Sequence, residues 1–174
     1  MDMIRQRMGC AGVVIAASIA AAPVASAAVY SYNFDSFPGL PAGFSGTAVT
    51  TSVDGLSGNN GFSGGMLRSS SASTDIDNNN AVLSLSGLAA HDTVTLSFGL
   101  GLLDSWDGTL GTIAPDYFNI LADGSEVFEI SVGNASGFTS EVIPASATNR
   151  TSGSNLYGSS WNDTLFDVSF SFSH

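Results

Sequence analysis

The feature that most constrains this chain is a ten-residue run in which apolar residues alternate strictly with small or polar ones. The run extends from Thr93 to Leu102 and reads TVTLSFGLGL. A period of two places all the apolar side chains on one face, because successive side chains of a strand point to opposite faces. The run therefore predicts a central strand with one buried face. We expect Phe98, in its middle, to be fully buried beside Phe118 or Phe128.

Shorter runs of the same kind recur along the chain, separated by segments rich in Gly, Ser, Asn and Pro. They predict strands over residues 29–34, 47–53, 66–69, 82–88, 118–120, 128–132 and 166–172. Residues 136–160 are expected to be mainly irregular, with one short strand near Glu141 to Ile143. Because no segment after residue 27 has a convincing helical period, we predict an all-β fold of about seven to nine strands. The favoured architecture is an antiparallel β-sandwich or jelly roll, and a closed up-and-down antiparallel sheet is the alternative.

The hairpin around Asp123-Gly124 raises a question of register. Apolar residues share one face of each flanking strand: Phe118 and Ile120 before the turn, and Phe128, Ile130 and Val132 after it. A two-residue turn followed by regular pairing would place Phe128 opposite Asn119, with the two apolar sets on opposite faces. We therefore predict a three-residue loop with a bulge instead of a tight turn.

The N-terminal segment has the three parts of an export signal. These are a positive start, an apolar run and a small-x-small cleavage site: Arg5 and Arg7, residues 11–22, and Ala25-Ser26-Ala27. The apolar run is too short to span a bilayer. We therefore predict a signal peptide over 1–27 and a mature β-sandwich domain over 28–174, secreted to the extracellular space or cell surface.

The predicted mature chain is strongly acidic and has no cysteine. The full sequence has four Lys+Arg and 15 Asp+Glu, and residues 1–27 remove two arginines and one aspartate, which leaves 2 − 14 = −12. The sole cysteine, Cys10, lies in the predicted signal, so no disulfide can stabilise the domain. Nucleic acid is excluded as a partner, because phosphate binding needs a cationic surface. Divalent cations fit this charge, and solubility of an exported protein is the other explanation for it.

Three aspartates form the candidate metal site. Asp104 and Asp107 follow the central strand, and Asp116 precedes the next strand. Because antiparallel neighbours would bring these strand ends together, we expect the three carboxylates to meet and to bind calcium, which prefers hard oxygen ligands. The alternative is that Asp104 and Asp107 only cap a tight turn.

Evidence for catalysis is weak. Residues 61–65 read Gly-Phe-Ser-Gly-Gly and match the G-x-S-x-G nucleophile pattern, but that motif needs a preceding strand and a following helix. The sequence has only two histidines, and no pair of carboxylates is marked as a glycosidase site. Trp106, Trp161 and Tyr157 are candidates for stacking on sugars, although Trp106 is expected to be a lid over the core. We therefore expect a protein that is not an enzyme.

Two segments resemble a group of exported bacterial proteins, many of which carry a PEP-CTERM sorting tail. They are residues 85–98, LSGLAAHDTVTLSF, and Asp104-Ser-Trp-Asp-Gly108 followed by Pro115-Asp-Tyr-Phe118. The resemblance covers about residues 60–174 and implies an extracellular, all-β, jelly-roll-like domain with a surface or matrix role. It implies nothing about calcium. It also implies further strands and a sorting tail after His174, which this sequence does not contain, so either the chain lacks its last strands or it departs from the group.

These observations predict an exported, non-enzymatic binding or extracellular-matrix module. We expect it to be stabilised by calcium and to bind glycan, with extracellular polysaccharide or matrix as the partner. The alternatives are a secreted polysaccharide or ester hydrolase and a purely structural surface protein. The sequence does not indicate an oligomeric state.

Overall fold

The structure is a computed structural model, and it describes most of the chain. The described residues are 2–7, 11–13, 16–20, 28–35, 38–69, 80–109, 115–134, 140–157 and 161–174. Their regular secondary structure consists of strands and one short 3₁₀ turn at Asp54–Leu56. The prediction of an all-β fold is confirmed.

Thirteen strands are described. In chain order they are β1 (Asp2–Arg7), β2 (Ala11–Val13), β3 (Ala16–Ala20), β4 (Ala28–Ser31), β5 (Phe44–Gly46), β6 (Val49–Ser52), β7 (Gly65–Arg68), β8 (Asn80–Leu85), β9 (Thr93–Leu102), β10 (Phe118–Ala122), β11 (Ser125–Ile130), β12 (Ala147–Ser154) and β13 (Asp163–Ser173).

Two antiparallel sheets enclose the main core. The smaller sheet has the order β11-β10-β1-β8-β5. The larger has the order β12-β13-β9-β2-β7-β6, and β3 continues the line of β2 along β9 and also pairs with β4. Side chains from both sheets fill the space between them, as in a β-sandwich. The connectivity of a jelly roll remains a prediction.

Strand β9 has the two-faced character that its sequence predicts. Its apolar residues are all at most 6 % exposed and face the core: Val94, Leu96, Phe98, Leu100 and Leu102. The Phe98 ring centroid lies 6.3 Å from that of Phe118 and 6.2 Å from that of Phe128. The predicted burial of Phe98 and its predicted neighbours are thus confirmed.

The outer face of β9 is also used. A second apolar cluster, called here the outer cluster, covers one half of it and comprises Val53, Leu56, Phe62, Met66, Leu103 and Leu165. A Cβ atom at Gly99 would lie 3.4 Å from the Phe62 ring, and one at Gly101 3.5 Å from it. The glycines in the alternating run therefore leave room for Phe62 to pack against the sheet.

The other half of this outer face carries paired hydroxyl groups. Thr95 Oγ1 lies 2.7 Å from Ser171 Oγ, and Ser97 Oγ lies 2.9 Å from Ser169 Oγ. These pairs join β9 to β13 across the exposed side of the sheet. The polar half of the alternation thus contributes cross-strand hydrogen bonds.

The Asp123-Gly124 hairpin differs from the prediction. Ala122 pairs with Ser125, so the loop has two residues, and Asp123 and Gly124 have φ values of 45° and 86°. Such values suit a tight hairpin turn, so the predicted three-residue loop is wrong. The register is corrected further along, where an irregularity places Ile120 opposite Phe128. A bulge inside β11 thus brings the apolar faces together.

Two further differences concern the larger sheet. Residues 147–154, expected to be irregular, form edge strand β12, which pairs with β13 with two breaks in register. The short strand expected near Glu141 is only an isolated bridge between Val142 and Ser131. Polar edge strands with bulges lack the regular alternation on which sequence prediction relies.

The segment predicted to be a signal peptide contains β1, β2 and β3. Their backbones pair with β8, β9 and β10, in the middle of the two sheets. The cleavage of residues 1–27 remains a prediction. Among the described residues, we find no helix long and apolar enough to cross a membrane.

Replacement of Phe98 by alanine tests the position of β9 in the core. The variant Phe98→Ala removes a buried ring that packs against Phe118 and Phe128, and it should lower the free energy of unfolding by about 3–5 kcal/mol. Denaturant unfolding measures this change. Phe172→Ala, near the end of β13 where the side chain is only half-buried, should cost clearly less. Equal losses for the two variants would contradict the assignment of Phe98 to the centre of the core.

Candidate functional site

The candidate site lies at the end of the sandwich where β9 leaves the larger sheet. Leu103 is buried, and Asp104 then takes a left-handed backbone conformation with a φ of 70°. The Trp106 amide donates a hydrogen bond to the Asp104 carbonyl, 2.8 Å away. This turn directs Trp106 back into the main core, where it is 2 % exposed. The prediction that Trp106 is a lid is therefore confirmed.

Asp107 and Asp116 come together, as the sequence predicts. The Asp107 amide donates to Asp116 Oδ2 over 3.0 Å, and the Asp116 amide donates to the Asp107 carbonyl over 2.9 Å. This reciprocal pair joins the end of the β9 turn to the residues that lead into β10. It holds one carboxylate of the predicted site in a defined position.

The surroundings of Asp116 disfavour its charge. Burial raises the pKa of this carboxyl, the hydrogen bond from the Asp107 amide lowers it, and the charge of Asp107 raises it again. The net direction is upward from the usual value of an aspartate. A nearby cation would favour the ionised form of Asp116.

Asp104 lies apart from this pair in its contacts. Its amide donates to Oδ1 of Asp163 over 2.9 Å. Its own Oδ1 atom is buried and has no hydrogen-bond partner within the described part of the chain. No hydrogen bond between described atoms joins Asp104 to Asp107 or Asp116. The structure therefore brings two of the three predicted aspartates into contact and places the third beside Asp163.

Asp163 is the residue at this end that sequence reasoning missed. It has no exposed surface, and its carboxylate accepts three backbone hydrogen bonds. Oδ1 accepts from the Asp104 amide, and Oδ2 accepts from the amides of Leu156 and Tyr157 at 2.6 and 2.8 Å. Asp163 thus ties the β9 turn to the loop before β13. The sequence shows only a charged residue at the start of a strand.

Asn134 makes a second buried connection, with two backbone carbonyls and one side-chain hydroxyl. Its Nδ2 donates to the Leu102 carbonyl over 2.8 Å, and its Oδ1 accepts from the Thr164 hydroxyl over 2.6 Å. Its amide donates to the Trp106 carbonyl over 2.9 Å. We call Asn134, Asp163 and Thr164 the polar latch. These residues are 5 %, 0 % and 1 % exposed, so the latch is part of the interior.

Arg68 and Arg150 form their contacts with other residues. Arg150 forms a two-point ion pair with Glu141, with both distances 2.7 Å, which lowers the pKa of that carboxyl. Arg68 bonds to the Tyr157 hydroxyl, and its guanidinium carbon lies 5.4 Å from the centre of that ring. Within the residues that the structure describes, no group of three or more His, Cys, Asp or Glu side chains has the arrangement of a metal site.

Two aromatic side chains are exposed on the segments that lead into the strands at this end. Tyr117, next to Asp116, is 37 % exposed, and Trp161, two residues before Asp163, is 46 % exposed. Tyr157 is half-buried and packs against the outer cluster. Tyr117 and Trp161 are therefore the aromatic rings with surface to offer a ligand here.

Ser63 of the G-x-S-x-G match lies on an exposed loop. The 3₁₀ turn and a further turn precede it, and strand β7 follows it. The motif's usual context is a strand before the serine and a helix after it, and the local structure differs from that.

The two histidines lie at the opposite end of β9. Their rings stack with centroids 4.8 Å apart, and His174 Nε2 lies 3.0 Å from Asp123 Oδ2. The length of the central strand therefore separates them from the candidate site.

Comparisons of the chain with protein-family models, with curated proteins and with solved structures found no match.

The polar latch can be tested by replacing its one charged member. In Asp163→Asn, either orientation of the amide places an NH₂ group against at least one backbone N–H that Asp163 now accepts. We expect a loss of about 1–3 kcal/mol in the free energy of unfolding, measured by denaturant titration, because a buried donor is left unpaired. The control is Asp167→Asn, also on β13, whose described side-chain bond is to exposed Asn149. A variant Asp163→Asn as stable as this control would show that the latch does not hold the turn.

Proposed function

We propose that this protein is an exported, non-enzymatic binding module of the cell surface or extracellular matrix. Its candidate site binds calcium, which stabilises the fold, and its ligand is an extracellular polysaccharide. Export rests on the signal-like sequence of residues 1–27, and a jelly-roll arrangement of the sandwich is the expected connectivity.

The observation that carries the calcium proposal is the unfavourable environment of the Asp116 carboxylate. It is partly buried, it lies against Asp107, and its pKa is raised. Arg68 and Arg150 interact with Tyr157 and Glu141, so neither of these two arginines is paired with Asp116. A divalent cation bound there would compensate the cost of holding Asp116 ionised.

Calcium is the ion that these residues suit best. Carboxylate oxygens of Asp107 and Asp116 would hold it. Asp104, whose buried Oδ1 lacks a described partner, would have to turn towards this pair to add a third carboxylate. Calcium accepts six to eight oxygen ligands in flexible geometry, including loop carbonyls and water. Magnesium demands tighter octahedral geometry and releases its water reluctantly, so it should bind less well.

The exposed aromatic rings support a carbohydrate ligand. Tyr117 adjoins the Asp107–Asp116 pair, and Trp161 adjoins Asp163. A ring with one apolar face and a polar edge suits a sugar, which offers C–H groups on its faces and hydroxyls at its rim. The carboxylates would accept hydrogen bonds from those hydroxyls, and a bound cation would coordinate their oxygen atoms.

The calcium proposal predicts a thermal shift. With a Kd of about 0.1–1 mM, as in extracellular modules, 1 mM calcium should stabilise the protein by roughly 0.4–1.4 kcal/mol. Such a gain corresponds to a rise in melting temperature of about 1–6 °C relative to chelator. Magnesium should give a smaller shift. Identical melting curves in calcium and in chelator would reduce the three aspartates to turn caps.

The variant Asp116→Asn separates calcium binding from turn capping. Asparagine retains an oxygen that can accept from the Asp107 amide but loses the buried charge. We expect the variant to be at least as stable as the parent in chelator and to lose most of the calcium shift. Asp92→Asn, an exposed aspartate at the other end of β9, should keep the full shift.

The pH dependence has a definite sign. Because the folded state raises the pKa of Asp116, the folded state holds this proton more tightly than the unfolded state does. The stability gained by protonation is present below about pH 4 and is lost as the pH rises through the raised pKa. Calcium competes with the proton, so the calcium shift should shrink as the pH falls through that window.

Ligand class can be tested on immobilised matrix polysaccharides, with and without calcium. Binding that falls in chelator and in Tyr117→Ala would support a calcium-dependent glycan site. Retained calcium stabilisation without any glycan binding would favour a purely structural surface protein. Hydrolysis of chromogenic glycosides or esters that is lost in Ser63→Ala would instead favour the hydrolase.

A further inference from the structure

Residues 2–20 hold central positions in both sheets. Strand β1 pairs with β8 through residues 2–7 and with β10 through residues 4–7. Strands β2 and β3 pair with β9 on the side opposite β13. Without this segment, β10 keeps only β11 and β8 keeps only β5 among their described partners, and β9 keeps only β13.

The same segment lies within the signal that the proposed function removes, so the inference here depends on export. Removal of residues 1–27 leaves a free edge along β9, whose inner face is fully apolar. The edge of β9 that β3 leaves carries unpaired backbone N–H and C=O groups, and one added extended strand can pair with it.

Cleavage after residue 27 also removes β3, the strand with which β4 pairs. Ala28–Ser31 pairs with β3 and with no other described strand. After cleavage it would be the first strand of the chain, with one end unattached. Its alternate residues Ala28 and Tyr30 are half-buried, whereas Val29 is 67 % exposed. The chain that follows is anchored, since the Tyr32 and Phe34 rings pack 4.8 and 5.3 Å from Phe44.

We propose that the mature protein assembles by strand exchange, in which β4 of a second copy pairs with β9 in the place that β3 holds here. Reciprocal exchange about a twofold axis covers this edge of β9 in both copies with the same contact. Addition of a strand supplies backbone hydrogen bonds, and alternate apolar side chains, here Tyr30, supply contact with the core.

The direction of β4 favours a second copy over the chain's own β4. Strand β4 is antiparallel to β3, and β3 is antiparallel to β9, so β4 of the same copy runs parallel to β9. If β4 moved next to β9 of its own copy, the two strands would therefore form a parallel pair. A strand from another copy can enter antiparallel, which is the slightly more stable pairing.

The experiment uses the exported protein and its cleavage-blocked form. Intact mass spectrometry gives the N-terminus, and size-exclusion chromatography with light scattering gives the mass of the assembly. We expect export to yield a chain that begins at Ala28 and has twice the monomer mass. The variant Ala27→Phe, which blocks cleavage and keeps residues 2–20 in place, should be a monomer.

A matched pair of substitutions tests the donor strand. Tyr30→Lys should convert the cleaved protein to monomer, and Val29→Lys should leave it dimeric. Of these two residues, only Tyr30 lies on the face of β4 that turns towards the core. Tyr30→Ser serves the same purpose if the lysine variant fails to fold.

Three outcomes would overturn the proposal. They are a cleaved chain that is monomeric, an exported chain that retains residues 2–20, and a dimer equally unaffected by all three substitutions. The calcium shift of the melting temperature is read on the same samples. A monomer with a normal shift would refute strand exchange alone, and a dimer without a shift would refute the calcium site alone.

Discussion

The pairing of β9 with β13 is the interaction on which the rest of the structure depends. Ten residues of each strand are in register, from Thr93 opposite Ser173 to Leu102 opposite Thr164. One face of this pair carries the apolar residues of the main core. The other face carries the outer cluster and the paired hydroxyls. A shift of β9 by one residue would turn its apolar side chains to the outer face. Glycines such as Gly99 would then face the core in place of residues such as Phe98.

The candidate site takes its position from the end of this pair. Thr164 and Asp163 lie where β13 begins, opposite the end of β9, and both belong to the polar latch. The latch holds the turn that buries Trp106, and the turn leads directly into the Asp107–Asp116 pair. The buried hydrogen bonds of Asp163 and Asn134 therefore support a loop whose acidic side chains are the ones proposed to bind calcium. Such support is a common requirement for a site built on loops.

The sequence predicted those parts of the fold whose alternation is regular. Strands β9 and β13 could be predicted because their apolar residues recur at every second position. The need for a register correction in the 118–130 hairpin was also evident, but its place was not, because a bulge in β11 serves as well as a longer loop. Strand β12, ATNRTSGS, could not be predicted, since its polar residues form an irregular edge. Pairing with β13 makes it a strand.

The site was predicted less completely than the fold. Asp107 and Asp116 were expected to meet because they flank neighbouring strands, and they do. Asp104 turns to Asp163 instead, since a left-handed residue after β9 directs its amide toward the start of β13. Asp163 accepts from the amides of Asp104, Leu156 and Tyr157, none of which is a sequence neighbour. No local sequence pattern therefore predicts its role.

The most direct test of this account is native-state hydrogen exchange resolved to single amides. The amides of β9 and β13 that bond to each other should exchange slowest, at rates set by global unfolding, because they lie between the main core and the outer cluster. Amides of edge strand β12 that are not bonded to β13 should exchange much faster. If β9 exchanged as fast as β12, the β9–β13 pair would not be the centre of the fold.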